Sequence, residues 1–203
     1  MREVRDGIGI VLCLVGLGVM FLAGCATHER LVSQPTIIET PEWRLPESCP
    51  NKSCVLPGDI PRSGELVGQD FRVAIISPNE PGRRIFMIQL EFHAAIPHVF
   101  LFDPTAVTVR LPAGDLLPAK ALPCPYTMHD LGFLHAAPPL TAPMPLDRST
   151  CIKLFIDAPA PPPTAHYSLF LGGVTRAGQR VDLPEIMFRP RMVLEREPIG
   201  LFQ

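Results

Sequence analysis

Proline is the sequence feature that most restricts what this chain can fold into. The 203 residues include 25 prolines, and all of them lie after residue 24. A proline inside a helix costs about 3 kcal/mol, because it lacks an N–H and its ring clashes with the preceding turn. The average share of proline in proteins is only about 5%. Long helices are therefore nearly excluded beyond residue 24, and strands joined by turns remain.

The first 24 residues have the layout of an export signal. Arg2 and Arg5 are offset by Glu3 and Asp6, so the free amine leaves the start of the chain weakly positive. The run 8–21 follows, with 14 residues and no charge. A helix needs about 20 residues to cross a hydrocarbon core, so this run suits the apolar region of a signal peptide better than a membrane anchor. Segment 1–24 is predicted to be removed.

The apolar run ends in Leu22-Ala23-Gly24-Cys25, which resembles the lipobox of bacterial lipoprotein precursors. The resemblance implies that the Cys25 thiol receives a diacylglyceryl group and that cleavage makes Cys25 the first mature residue. An N-acyl chain is then expected on its amine. Two or three chains hold a protein stably on a membrane, each buried methylene contributing about 0.8 kcal/mol. An ordinary cysteine after an ordinary signal sequence is the alternative.

The residue after the lipobox indicates whether the inner or the outer membrane is the expected location. Ala26 stands where enterobacterial lipoproteins that stay at the inner membrane carry an Asp. We therefore expect a lipid-anchored protein of the cell envelope, on the periplasmic side of the outer membrane in a cell with two membranes.

The mature chain is nearly neutral. Removal of 24 residues leaves 179 and a net charge of -2, because the signal carries two acidic and two basic residues. No run of Lys or Arg is present to follow a phosphate backbone, which argues against a nucleic-acid partner. A chain of this length suffices for one domain with a core and a tail.

Four cysteines remain in the mature chain besides Cys25, and an even number in an exported protein favours disulfides. Three pairings are possible. Cys49 and Cys54 bracket a turn-forming tetrapeptide, which favours a bond between them and leaves Cys124 to pair with Cys151. Four reduced, buried cysteines are the alternative.

Residues 25–62 are predicted to form the lipidated N-terminus and a proline-rich linker. The segment is polar and has no lasting apolar period of 2 or 3.6 residues. We expect an extended tether, with Trp43 and the Cys49–Cys54 loop docking on the domain near its end. Fully stretched, residues 26–62 would span about 120 Å, so the domain need not touch the lipid surface.

Alternation of apolar and polar residues begins after Gly64 and predicts strands. The clearest is 86–92, where Phe86, Ile88, Leu90 and Phe92 share one face. Further strands are predicted at 71–75, 99–102, 105–111, 116–122, 150–156, 167–175, 180–183 and 186–194.

The connections between these strands are too short for the helical crossovers that parallel pairing needs. Residues 63–203 are therefore predicted to form an all-β, antiparallel, immunoglobulin-like sandwich of about 7 to 9 short strands. A small barrel is the alternative architecture. The irregular segment 124–148 would be pinned by the Cys124–Cys151 bond, and Tyr167 is a candidate tyrosine-corner residue.

The sequence carries no recognisable catalytic signature. It has no Gly-x-Ser-x-Gly, His-Glu-x-x-His, Ser-x-x-Lys or phosphate-binding glycine loop. We therefore predict no enzyme, no catalytic residue and no cofactor. The expected function is a binding or structural module for an envelope protein partner.

A second hypothesis rests on histidines and a methionine whose side chains suit copper. They are His93, His98, Met128, His129 and His135. The spacing of Cys124 and His129 is close to that of a blue-copper loop but departs from it, because Met128 precedes the histidine. A periplasmic copper or zinc carrier is therefore the alternative function, and no metal site is predicted.

Overall fold

The computed structural model describes residues 26–45, 63–77, 86–124 and 138–197, except the side chains of 26–28, 63 and 194–197. Within these ranges the chain forms thirteen strands and one 3-10 helical turn at Pro104–Ala106. The strands are β1 Ala26–Thr36, β2 Ser63–Val67, β3 Phe71–Ile76, β4 Phe86–Ala94, β5 Phe100–Phe102, β6 Val107–Arg110, β7 Leu116–Pro123, β8 Met144–Pro145, β9 Thr150–Ile156, β10 Tyr167–Leu171, β11 Val174–Arg176, β12 Gln179–Arg180 and β13 Ile186–Glu197.

Every strand pair is antiparallel, and the predicted all-β fold is confirmed. Nine strands form one sheet in the order β1-β13-β10-β6-β7-β9-β4-β3-β2. A smaller sheet has the order β12-β11-β5-β8. In the ranges that the structure describes, no helix is long and apolar enough to span a membrane.

The large sheet folds over on itself at β7, which pairs with β6 at its start and with β9 at its end. The two halves face each other across the core. Phe86 of β4 meets Tyr167 of β10 edge to face, with ring centroids 5.2 Å apart. The Tyr167 hydroxyl also lies 3.1 Å from the Ser77 hydroxyl. The two edge strands of this sheet, β1 and β2, also lie close to each other. A Cβ built on Gly64 of β2 would lie 2.8 Å from Pro35 Cγ of β1. The result is a sandwich with barrel-like closure.

The smaller sheet covers one end of this sandwich with aromatic side chains. Phe100 stacks on Phe71 at 4.9 Å between centroids, and Phe102 packs on Phe92 at the same distance. All four rings are buried. These contacts join residues of β5 to β3 and β4, so the core is continuous between the two sheets.

The linker predicted for residues 25–62 is wrong over Ala26–Thr36. This segment is strand β1, which pairs with Glu197–Met187 of β13 over eleven residue pairs. Residues 32–35 are all buried, so both faces of the strand are covered there and burial leaves no period of 2. Residues 46–62 lie outside the described part of the chain.

The irregular segment predicted at 124–148 is held by its two ends. The structure places a disulfide between Cys124 and Cys151, with a Cα–Cα distance of 5.3 Å. The Cys124 N–H also donates to the Cys151 carbonyl at 3.0 Å. The disulfide therefore lies at the end of the β7–β9 pairing. Leu146 is fully buried and donates to the Phe100 carbonyl at 2.8 Å. Residues 125–137 lie outside the described ranges.

Candidate functional site

The cysteines singled out by the sequence separate into two groups. Cys25, Cys49 and Cys54 lie outside the residues that the structure describes. Cys124 and Cys151 are joined to each other. A sulfur in a disulfide is neither a nucleophile nor a metal ligand, so this pair has a structural role.

Two histidines of the copper hypothesis, His93 and His98, contact residues 147 and 148. His93 Nδ1 lies 3.1 Å from the Arg148 carbonyl oxygen, and His98 Nδ1 lies 3.3 Å from Asp147 Oδ1. Among the described residues, no three His, Cys, Asp or Glu side chains come together as a metal site would require. Met128, His129 and His135 lie outside these residues.

The candidate site is a groove of about 740 Å³ where the chain before β2 meets the hairpin of β11 and β12. One wall begins at Thr40, whose N–H donates to the Trp43 carbonyl at 3.0 Å, while its hydroxyl accepts from the Trp43 N–H at 3.1 Å. Arg44 and Val67 then exchange main-chain hydrogen bonds of 3.1 and 2.7 Å. This tight turn fixes residues 40–44 against the end of β2.

The floor of the groove is aromatic. Trp43 is only 8% exposed, in agreement with the docking that the sequence predicted. Its ring lies over Gly68, where an added Cβ would come within 2.5 Å of a ring carbon. The ring also meets Phe71 edge to face at 6.4 Å, and Phe71 stacks on Phe100. The absence of a side chain at Gly68 is therefore what admits the indole.

The opposite wall is the β11–β12 hairpin. Ala177 and Gly178 form its two-residue loop with φ values of 47° and 82°, both in the left-handed region typical of a tight hairpin turn. Arg176 at the end of β11 places its guanidinium 5.8 Å from the Phe100 centroid and forms an ion pair with Asp70. The hairpin is thus attached to both the aromatic floor and the β2–β3 turn.

Charges around the groove are balanced. Three arginines and three carboxylates line it, and Arg180 Nε lies 3.2 Å from Asp182 Oδ1. The exposed Arg44 side chain forms no ion pair or hydrogen bond with another described residue. Besides these charged groups, the described residues that line the groove are Trp43, Phe100, two glutamines, two valines, a proline and a glycine.

Sequence reasoning missed most of this site. Asp70 and Arg176 are 106 residues apart, and no local pattern connects them. Two signals were available: a lone tryptophan in a polar segment, and Ala177-Gly178 between polar residues as a hairpin turn. Neither signal gives the partner across the groove.

This chain matches no protein-family model, no curated protein and no solved structure.

Proposed function

We propose that this protein is a lipid-anchored lipoprotein of the bacterial cell envelope whose domain binds a partner protein without catalysis. The lipobox ending at Cys25 supports the anchor and the envelope location, with the outer membrane facing the periplasm as the expected address. The lipid on Cys25 is the contact with the membrane in this proposal. No nucleic acid is involved.

The observation that carries the binding role is the aromatic floor of the groove inside a rim of balanced charge. Trp and Arg are enriched at the centres of protein interfaces, where a buried aromatic ring and planar hydrogen-bonding groups are combined. A rim with equal numbers of arginines and carboxylates does not attract a polyanion. The occupant that fits is a protein segment with an apolar side chain for Trp43 and Phe100, and hydrogen-bonding groups for Arg44 and Asp70.

The anchor is tested by metabolic labelling with palmitate. The wild-type chain incorporates label and Cys25→Ser does not, because the thiol is the acceptor of the diacylglyceryl group. Equal labelling of both proteins would contradict a lipid at this position.

The binding site is tested by crosslinking in the intact envelope. A photoreactive residue at Gln179, in the groove, is expected to give one product with a single envelope protein, identified by mass spectrometry. Leu116 is the matched control, since it is 56% exposed and lies outside the groove. Arg44→Ala is expected to reduce the product without unfolding the domain, because the exposed Arg44 side chain makes no ion pair with another described residue. A product of equal yield from both positions would reject the groove as the binding site.

A further inference from the structure

The free edges of the described strands show where another chain could be added to a sheet. An edge presents main-chain N–H and C=O groups that have no partner in their own sheet. Proline has no N–H to donate and closes an edge to such pairing. Three edges carry one: β1 at Pro35, the part of β13 beyond β10 at Pro190, and β8 at Pro145. At β2, Arg44 takes the open side by exchanging two main-chain hydrogen bonds with Val67.

The register places the proline nitrogens on the open sides of their strands. Leu146 donates to the Phe100 carbonyl, so these two residues form a hydrogen-bonded pair. Pairs alternate in an antiparallel ladder, so the next pair, Leu101 with Pro145, is not hydrogen-bonded. The Pro145 nitrogen therefore points away from β5, toward the free edge. The same alternation applies to the two prolines of the β1–β13 ladder.

Strand β12 is the exception among these edges. It ends the smaller sheet, pairs with β11 alone among the described strands, and contains no proline. Val181 donates to the Val174 carbonyl at 2.9 Å, so the neighbouring pair, Thr175 with Arg180, is not hydrogen-bonded. The Arg180 N–H and C=O therefore point away from β11. Within the described ranges, neither group has a main-chain partner.

The open edge of β12 borders the Trp43 groove. Gln179 and Arg180 line the groove on the side opposite Trp43. Phe100, Arg176 and Gln179 stand opposite one another across β5, β11 and β12, so their side chains share one face of the sheet. Phe100 is buried, which makes this the inner face. In a strand added beside β12, the residue opposite Gln179 would therefore face the aromatic floor, and the residue opposite Arg180 would face solvent.

The edge is long enough for several residues of a bound strand. Arg180 Nε lies 3.2 Å from Asp182 Oδ1, so alternate residues still share a side after β12 and the chain stays extended. The two side chains also neutralise each other, so the edge has no net charge that selects a charged ligand. Main-chain hydrogen bonds supply the affinity of an added strand, and its alternate side chains supply the specificity.

We propose that the groove binds an extended segment of its partner protein as a fifth strand beside the four of the smaller sheet. The inference rests on the proposed binding role of the groove and names the form of the ligand. The Arg180 N–H donates to the added strand, and the Arg180 carbonyl accepts from it. The segment has an apolar side chain over Trp43 and Phe100, and its neighbours on either side point to solvent. The prolines at the other edges direct pairing to β12.

Two variants at Arg180 test the main-chain pairing in the intact envelope. The probe is a photoreactive residue at Gln179, and the readout is its crosslinked product with the partner protein. Arg180→Pro removes an N–H that β11 does not use, so the hairpin tolerates it. The product is expected to fall about tenfold, because a carbonyl of the bound strand loses its donor. Arg180→Ala is the matched control: it keeps the N–H, and the exposed ion pair that it removes contributes little, so the product should stay within about twofold of the wild-type yield.

The positions of the crosslinks measure the form of the bound segment independently. Photoreactive residues at Gln179 and Asp182 lie about 10 Å apart along the edge. In an added strand, the two residues that they label in the partner are about three positions apart in one segment. In a bound helix they are about seven positions apart, because the rise is only about 1.5 Å per residue. A spacing of about three supports the proposal even if Arg180→Pro loosens the hairpin, and a helical spacing or labels in separate segments would overturn it.

Failure of this inference and failure of the proposed function give different results. An undiminished product from Gln179 in Arg180→Pro would reject the added strand and leave the groove as the binding site. An equal loss in Arg180→Pro and Arg180→Ala would also reject it, because the side chain rather than the N–H would then hold the partner. Absence of a product from Gln179 in the otherwise wild-type chain would reject the groove itself.

Discussion

Strands β4 and β1 are both long, with nine and eleven residues, yet different interactions hold them in place. Strand β4 lies between β3 and β9, and Ile88, Leu90 and Phe92 are fully buried on its inner face. Among the described strands, β1 pairs with β13 alone, along its entire length. Burial of alternate side chains in β4 leaves a period of 2 in the sequence, whereas residues 32–35 of β1 are all buried and leave none. This difference is why the sequence predicts β4 as a strand and residues 26–36 as part of a linker.

The prolines of the β1–β13 ladder show which main-chain groups support it. Proline cannot donate a hydrogen bond, so Pro35 and Pro190 must occupy pairs in which the nitrogen faces away from the partner strand. They stand opposite Phe188 and Ser33, two positions apart in the register. In an antiparallel ladder the pairs alternate, so the N–H groups of Val32 and Gln34 face β13. The prolines are therefore compatible with a continuous strand.

The largest expected effect is in β4, at the fully buried side chain of Phe92. The ring of Phe92 lies 4.9 Å from Phe102 and 5.8 Å from Phe71, measured between centroids. Phe92→Ala should lower the free energy of unfolding by about 3 to 5 kcal/mol, because it removes the ring and leaves a cavity. Urea unfolding measures the change. Leu101→Ala, at a 39% exposed position of β5, is the control and should change it by less than about 0.5 kcal/mol. A loss below about 1 kcal/mol in Phe92→Ala would contradict the account of β4.

The second-largest expected effect on stability comes from loss of the Cys124–Cys151 disulfide, which lies beside β4. Cys151 stands opposite Glu91 of β4, and its disulfide spans a sequence separation of 27. Loss of this bond in Cys151→Ser should lower stability by about 3 to 4 kcal/mol, because the unfolded chain regains the entropy of an open loop. Thermal unfolding with and without reductant measures it. Reductant should destabilise the wild type strongly and the variant little. A crosslink from Cys124 to Cys49 or Cys54 in non-reduced peptide maps would contradict the pairing.

A proline scan separates main-chain support from side-chain support in β1. Val32→Pro removes an N–H that faces β13 and leaves its acceptor unpaired, which should cost about 1 to 3 kcal/mol and detach the strand. Leu31→Pro is the matched control, because the Leu31 N–H points away from β13 and its loss should cost clearly less. Limited proteolysis within residues 26–36 measures detachment. Equal cleavage of both variants would mean that the ladder does not hold β1.

The smallest expected effect is at the floor of the groove, where Gly68 in the β2–β3 turn contacts the Trp43 ring. Gly68→Ala places a Cβ within 2.5 Å of the Trp43 ring, so the indole must move outward. We expect a cost of about 1 kcal/mol, at the low end for overpacking because the ring lies at the edge of the core. Trp43 is the only tryptophan of the chain, so its fluorescence reports the change directly. A red-shifted emission is expected. Gly114→Ala is the control for strain without contact with Trp43: its φ of 98° strains an alanine, but nothing lies within 4 Å, so its emission should stay unshifted. An unshifted spectrum in Gly68→Ala would contradict the packing.

The parts of the fold that follow from side-chain burial were predictable. The segments predicted at 71–75, 86–92, 150–156 and 186–194 match β3, β4, β9 and β13 to within three residues at the C-terminal end, because alternation shows which face is buried. The predicted strand 167–175 is divided in the structure into β10 and β11 at Gly172 and Gly173. A Cβ on Gly173 would lie 2.2 Å from the Asp103 carbonyl oxygen, so the break is set by a close approach of distant chain that no local pattern records.

The groove illustrates the same limit. Trp43 and the Ala177-Gly178 turn can be picked out in the sequence. The ion pair of Asp70 with Arg176, however, joins residues 106 positions apart. Such a pairing is decided by the packing of the entire chain, which is why single residues of the groove could be predicted and the groove could not.

Amide hydrogen exchange of residues 26–36 tests most directly whether the sheet begins immediately after Cys25. If β1 is part of the sheet, the amides of Val32 and Gln34 exchange as slowly as those of Arg189 and Arg191, because they belong to one ladder. If residues 26–36 form a tether, their amides exchange at the rate of an unstructured chain while β13 stays protected. Slow, matched exchange supports the account, and rapid exchange of β1 alone would contradict it.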